Sequence, residues 1–88
     1  LKAKFSEIPG ARVHFEDPAT AKLLFGENDG NLKLIEKTVG VQIHARGNAL
    51  AVSGDRVAVQ LAERLLSELY DILLMGHPIY PNDILSAI

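Results

Sequence analysis

The residues best placed to do chemistry are Gly26-Glu27-Asn28-Asp29-Gly30 and the basic side chains near them in sequence, Lys22, Lys33, Lys37 and Arg46. Glycines at both ends of a short loop let another backbone come close, and a helix starting directly after such a loop offers N–H groups to an anion. The chemistry on offer is capture of a phosphate or a carboxylate. Glu27 and Asp29 oppose it, since two unit charges about 4 Å apart repel by roughly 1 kcal/mol even in water. Asp29 also reads as a cap on the following helix, which would occupy the donors that an anion needs. A phosphate site and a plain structural turn are both open readings of this loop.

The basic residues divide in the same way. Lys33 and Lys37 lie one helical turn apart and either attract phosphate or line a solvated surface beside Glu36. Arg46 stands before Gly47-Asn48, a two-residue hairpin signal that accounts for the glycine and the asparagine. It does not account for the arginine, whose planar fork pairs with phosphate and stacks on bases.

Other chemistries have less to stand on. No cysteine is present among the 88 residues, which removes thiol nucleophiles, disulfides and thiolate metal sites. Ser6, Ser53, Ser67 and Ser86 sit in no nucleophile–base spacing, so the chain reads as non-enzymatic. His14 and His44 fall on the polar face of their strands without a carboxylate set at ligand spacing, and His77 has no evident partner, so no metal is expected. A net charge of -2 lacks the basic excess that by itself announces nucleic-acid binding. With no apolar run near the ~18 residues of a membrane span and no signal-like leader, a cytoplasmic domain without membrane contact is expected.

Positioning these residues takes a small set of elements, and a chain that is 48% hydrophobic can build one core around them. Alternation over residues 11–15 predicts a first strand with Val13 and Phe15 inward and Arg12 and His14 outward. Pro9-Gly10 marks a turn before it. Asp17-Pro18 opens a short helix that runs to Phe25 and stops at Gly26. Leu32, Ile35 and Val39 predict a second helix over residues 31–39 with Lys33, Glu36 and Lys37 outward. Val41, Ile43 and Ala45, then Leu50 and Val52, predict two strands joined at Gly47-Asn48. Gly54-Asp55 leads into a long helix over residues 56–74, with Ala58, Leu61, Ala62, Leu65, Leu69, Ile72 and Leu73 as its apolar stripe.

The chain starts at Leu1, and Pro81 to Ile88 reads as a capped amphipathic helix broken off after a turn and a half, so a piece of a longer protein is expected. The division is an extended lead-in over 1–10, a domain over 11–75, and an exit turn with the start of a helix over 76–88. Residues 75–80, with Ile84, Leu85 and Ile88, form an apolar edge suited to a neighbouring domain or a second copy.

The order strand, helix, loop, helix, strand, strand, helix, together with Asn31-Leu32-Lys33-Leu34-Ile35-Glu36-Lys37-Thr38-Val39-Gly40-Val41-Gln42-Ile43 and the later Val52-Ser53-Gly54-Asp55, resembles a KH domain. The resemblance implies an α+β fold of type I order β-α-α-β-β-α, a three-stranded antiparallel sheet with helices packed on one face. The strings from Leu24 to Leu32 and from Ile43 to Asn48 resemble more closely the N-terminal region of the PhoH-like proteins, phosphate-starvation-inducible P-loop ATPases. That likeness implies a non-catalytic accessory domain binding single-stranded RNA, with Gly26 to Gly30, Lys22, Lys33, Lys37 and Arg46 as its contacts. The alternative is a protein-interaction or oligomerisation module that positions the ATPase. No cofactor is implied here; ATP and Mg belong to the ATPase domain expected beyond Ile88, and that domain and a homo-oligomer are the other partners implied.

Overall fold

The computed structural model describes residues 10–87. The lead-in expected over residues 1–10 lies outside them except for Gly10, and so does Ile88 of the apolar edge.

Strand β1 (Gly10–His14) alternates as its sequence predicts, with Arg12 and His14 exposed, Val13 half-buried and Phe15, just past its end, buried. Gly10, expected in a turn, is already in the strand and pairs with Ser53. Helix α1 (Pro18–Phe25) follows, with proline in the first turn where it has no hydrogen bond to lose. Asp17 stands at the cap position, but its carboxylate accepts the Thr20 hydroxyl instead of a backbone N–H. Its own N–H donates to the Tyr70 hydroxyl at 3.0 Å. Since the Tyr70 ring also packs on Phe15, with centroids 4.7 Å apart, one side chain fastens the entry of α1 to the sheet.

Beyond the loop, α2 (Gly30–Ile35) is shorter than the predicted helix and widens into a π turn over Glu36–Gly40. Glu36, expected to face solvent, is half-buried, and its carboxylate accepts the Ile43 N–H at 2.7 Å. That bond satisfies a strand donor from the end of the helix, so the carboxylate is drawn inward by a partner that periodicity does not show.

Strands β2 (Val41–Arg46) and β3 (Ala49–Gly54) form the predicted hairpin, and the sheet order is β1-β3-β2, antiparallel throughout. Val41, Ile43, Leu50 and Val52 are buried; Ala45, expected inward, is exposed near the hairpin end. Asn48 does more than turn the chain. Its carbonyl accepts the Phe15 N–H at 3.0 Å and its amide donates back to the Phe15 carbonyl, tying the hairpin to the exit of β1.

Helix α3 (Arg56–Leu74) has the predicted bounds, and the Asp55 carboxylate caps it through the Val57 N–H at 3.1 Å. Its stripe is centred elsewhere than predicted: Val59 and Leu66 are buried with Ala62, Leu65 and Leu69, while Leu61 is 38% exposed. A helix laid across both a sheet and α1 buries a wider arc than one row of i, i+3, i+4 positions. The last element, α4 (Pro81–Ala87), packs on α2 and α3 and places Ile84 in the common core. The helices thus cover one face of the sheet, the α+β KH-like arrangement that the resemblance implies. Among the described residues none covers the other face.

Candidate nucleic-acid interface

The loop between α1 and α2 takes its shape from three backbones. Gly26 has φ 82° and ψ 172°, a region open in practice to glycine alone. Asn28 and Asp29 follow in the left-handed region at φ 54° and 57°, and after glycine these are the residue types that visit it most readily. A tight turn results, in which the Asp29 N–H donates to the Gly26 carbonyl at 3.1 Å. Asn31 fixes the turn from behind, its amide donating to the Leu24 carbonyl at 3.0 Å.

Asp29 occupies the cap position of α2 yet makes no side-chain hydrogen bond to it, contrary to the reading of this residue as a helix cap. A capping side chain needs an extended backbone to aim it at the helix, and a left-handed one does not provide that. Asp29 suits its position by backbone tolerance. All of Glu27, Asn28, Asp29 and Gly30 are exposed.

The basic residues singled out in the sequence go to three places. Lys22 lies with Pro18, Phe25, Gly47 and Asn48 around a shallow pocket of about 330 Å³, so α1 and the hairpin tip meet there. Lys33 and Lys37 are exposed on α2 and the π turn. Arg46 points from β2 to the side of the sheet away from the helices, where it lines a groove of about 680 Å³ with Arg12, His14, His44, Ala49 and Ala51.

That groove does not follow from the sequence, because it depends on which strand lies between the others. With β3 central, His44 and Arg12 both sit opposite Ala51, and Arg46 and His14 both sit opposite Ala49. His14 and His44 are therefore on opposite edges of the sheet and in different rows, about 12 Å apart on the diagonal of two strand spacings and two residues of rise. No group of three metal-ligating side chains occurs among the described residues. Nor is any helix among them long and apolar enough to cross a membrane.

The chain is similar to proteins described as PhoH-like. One from Mycobacterium leprae (strain TN) is 45% identical over 59 residues, covering 67% of this chain and 17% of that protein. One from Bacillus subtilis (strain 168) is 40% identical over 73 residues, covering 83% and 23%. One from Mycobacterium tuberculosis (strain ATCC 25618 / H37Rv) is 41% identical over 59 residues, covering 67% and 17%. The chain thus spans less than a quarter of the length of these relatives. No family model and no solved structure matches it.

Proposed function

Because the chain belongs with the PhoH-like proteins, as a relative of one stretch of their longer chains, we propose that it is a non-catalytic N-terminal accessory domain that binds single-stranded RNA for the ATPase of the parent protein. The observation that carries this reading is the open loop from Gly26 to Gly30. Its residues from Glu27 onward are exposed, and exposed Lys33 and Lys37 follow on the next element. A glycine-framed backbone of this kind admits a sugar-phosphate strand, and the lysines add attraction that does not depend on base sequence. Glu27 and Asp29 make the binding weak.

Fluorescence anisotropy with a short single-stranded RNA tests this. The expected affinity lies in the non-specific range of about 10⁻⁴ to 10⁻⁶ M, weakens with salt, and rises in a variant carrying Glu27→Lys and Asp29→Lys. No binding by the wild type at low or physiological salt, and none gained by the variant, overturns the reading.

A second reading is docking onto the rest of the parent protein or onto another copy. It draws on one specific feature, the exposure of Leu74, Met75, Tyr80 and Leu85 around the exit from α3. Self-association through this edge predicts a molar mass that rises with concentration in light scattering and falls back to the monomer on Met75→Lys with Tyr80→Lys. A concentration-independent monomer would exclude the copy and leave docking within the parent.

A further inference from the structure

We propose that the bare face of the sheet is a second binding site for single-stranded RNA, distinct from the loop. The inference rests on the reading of the domain as an RNA-binding module. Across the three strands two rows run in opposite senses, Arg12–Ala51–His44 and His14–Ala49–Arg46. Each row has an arginine at one edge, a histidine at the other and an alanine between. The rows are about 7 Å apart along the strands, two residues of rise. The result is a rectangle with a planar, nitrogen-bearing side chain at every corner and a flat floor of methyl groups.

The charge on this face is the opposite of that of the whole chain. The outward positions of β1, β2 and β3 hold Gly10, Arg12, His14, Gln42, His44, Arg46, Ala49, Ala51 and Ser53, with no carboxylate among them, although the net charge of the chain is -2. Among the described residues the one salt bridge joins Arg64 to Glu68 at 3.5 Å, so neither Arg12 nor Arg46 is neutralised there. Glu16, Asp17 and Asp71 line the adjoining cleft beyond His14.

Charge complementarity calls for a polyanion, and the shape narrows the choice. Guanidinium and imidazole planes both stack on unpaired bases, and arginine also forks onto phosphate. Alanines in the central strand leave room for a base to lie against the sheet between those corners. A groove of about 680 Å³ is in the range of sites that enclose small ligands, so a short stretch of strand fits it. A second copy of the chain does not, since face-to-face packing would set each arginine against another arginine or a histidine with no carboxylate to pair it.

The test is an NMR titration of the 15N-labelled 88-residue chain with a short oligouridine at several salt concentrations. Expected are amide shifts at Arg12, His14, His44, Arg46, Ala49 and Ala51 that saturate together. Arg12→Ala with Arg46→Ala should lower the salt slope of binding at this face by about 1.4 and its affinity by roughly 25-fold at 0.1 M salt, taking about 0.7 per phosphate contact on a single strand. Ala51→Glu, which puts a carboxylate on the floor, should abolish these shifts. All three positions are on the bare face, so an unchanged thermal midpoint is expected and keeps the comparison valid. Shifts confined to the loop and α2 would overturn this site and leave the proposed function standing. Equal shifts with polyglutamate would also overturn it, as a general acid-binding face. No shifts anywhere would overturn both.

Discussion

Ile84→Ala is expected to lower the unfolding free energy by about 2–5 kcal/mol, the usual cost of truncating a large aliphatic side chain in a packed interior. Ile84 is 0% exposed and sits in the same hydrophobic cluster as Leu24, Ile35, Leu66 and Leu69. It comes from a helix of seven residues, and a helix that short has almost no stability of its own in water. What holds α4 is therefore its packing, aided at its start by Asp83, whose carboxylate accepts the Tyr80 N–H at 2.8 Å. This is the returning half of a capping box. For a domain whose total stability falls in the ordinary range of about 5–15 kcal/mol, the loss is a large fraction.

Urea denaturation of the two proteins measures it. A loss below about 1 kcal/mol would mean that α4 is detached in solution and that the domain closes at α3. RNA binding by the variant, measured where it is still folded, should match the wild type, because Ile84 is buried in the core and none of the candidate contact residues belongs to its cluster.

The elements were legible in the sequence wherever one local rule decided them. Val13 and Phe15, Ile43, and Leu50 with Val52 alternate because a strand has period two, and Asp55 before a long amphipathic run is a cap with a helix behind it. Gly47-Asn48 reads as a hairpin for an equally local reason. What was not legible depends on partners far away in sequence. Glu36 and Lys37 look alike on a helical wheel, and only the Ile43 N–H seven residues on separates them. Asn48 is sufficient as a turn residue, yet it also holds Phe15, 33 residues before it.

The candidate site shows the same division. The loop from Gly26 to Gly30 announces itself by composition. The groove does not, since Arg12 and His44 become neighbours of Ala51 only when β3 is placed between β1 and β2. Of its four corner side chains, only Arg46 reads from the sequence as a nucleic-acid contact, because the hairpin leaves it without a structural reason; His14 and His44 read only as outward histidines without a ligand set. Asp29 was misjudged for a related cause: its type suits a cap, but its φ of 57° is set by the turn.

The two glycines that frame the loop should respond to alanine in opposite directions. Gly26→Ala is expected to cost about 3 kcal/mol or more. At φ 82° and ψ 172° the new side chain would be in a region that carries roughly 1–3 kcal/mol of strain for non-glycine residues generally. A Cβ there would also lie 2.9 Å from Asn31 Cγ and 3.0 Å from the Asn31 backbone nitrogen. The side chain of Asn31 can move only by giving up its bond to the Leu24 carbonyl, and its nitrogen moves only with α2. Gly30 has helical angles, φ −60° and ψ −38°, and open space where a Cβ would be. There alanine is a better helix former by about 1 kcal/mol, so Gly30→Ala should stabilise the domain. Equal losses at both positions in urea denaturation would contradict the loop conformation. The opposite signs raise a functional question that the same proteins answer. A glycine that the fold does not require, in an exposed loop, is explained if a ligand backbone passes close to it. Gly30→Ala should then be more stable and bind RNA several-fold more weakly. Unchanged affinity would remove the strand from the loop and leave the sheet face to hold it.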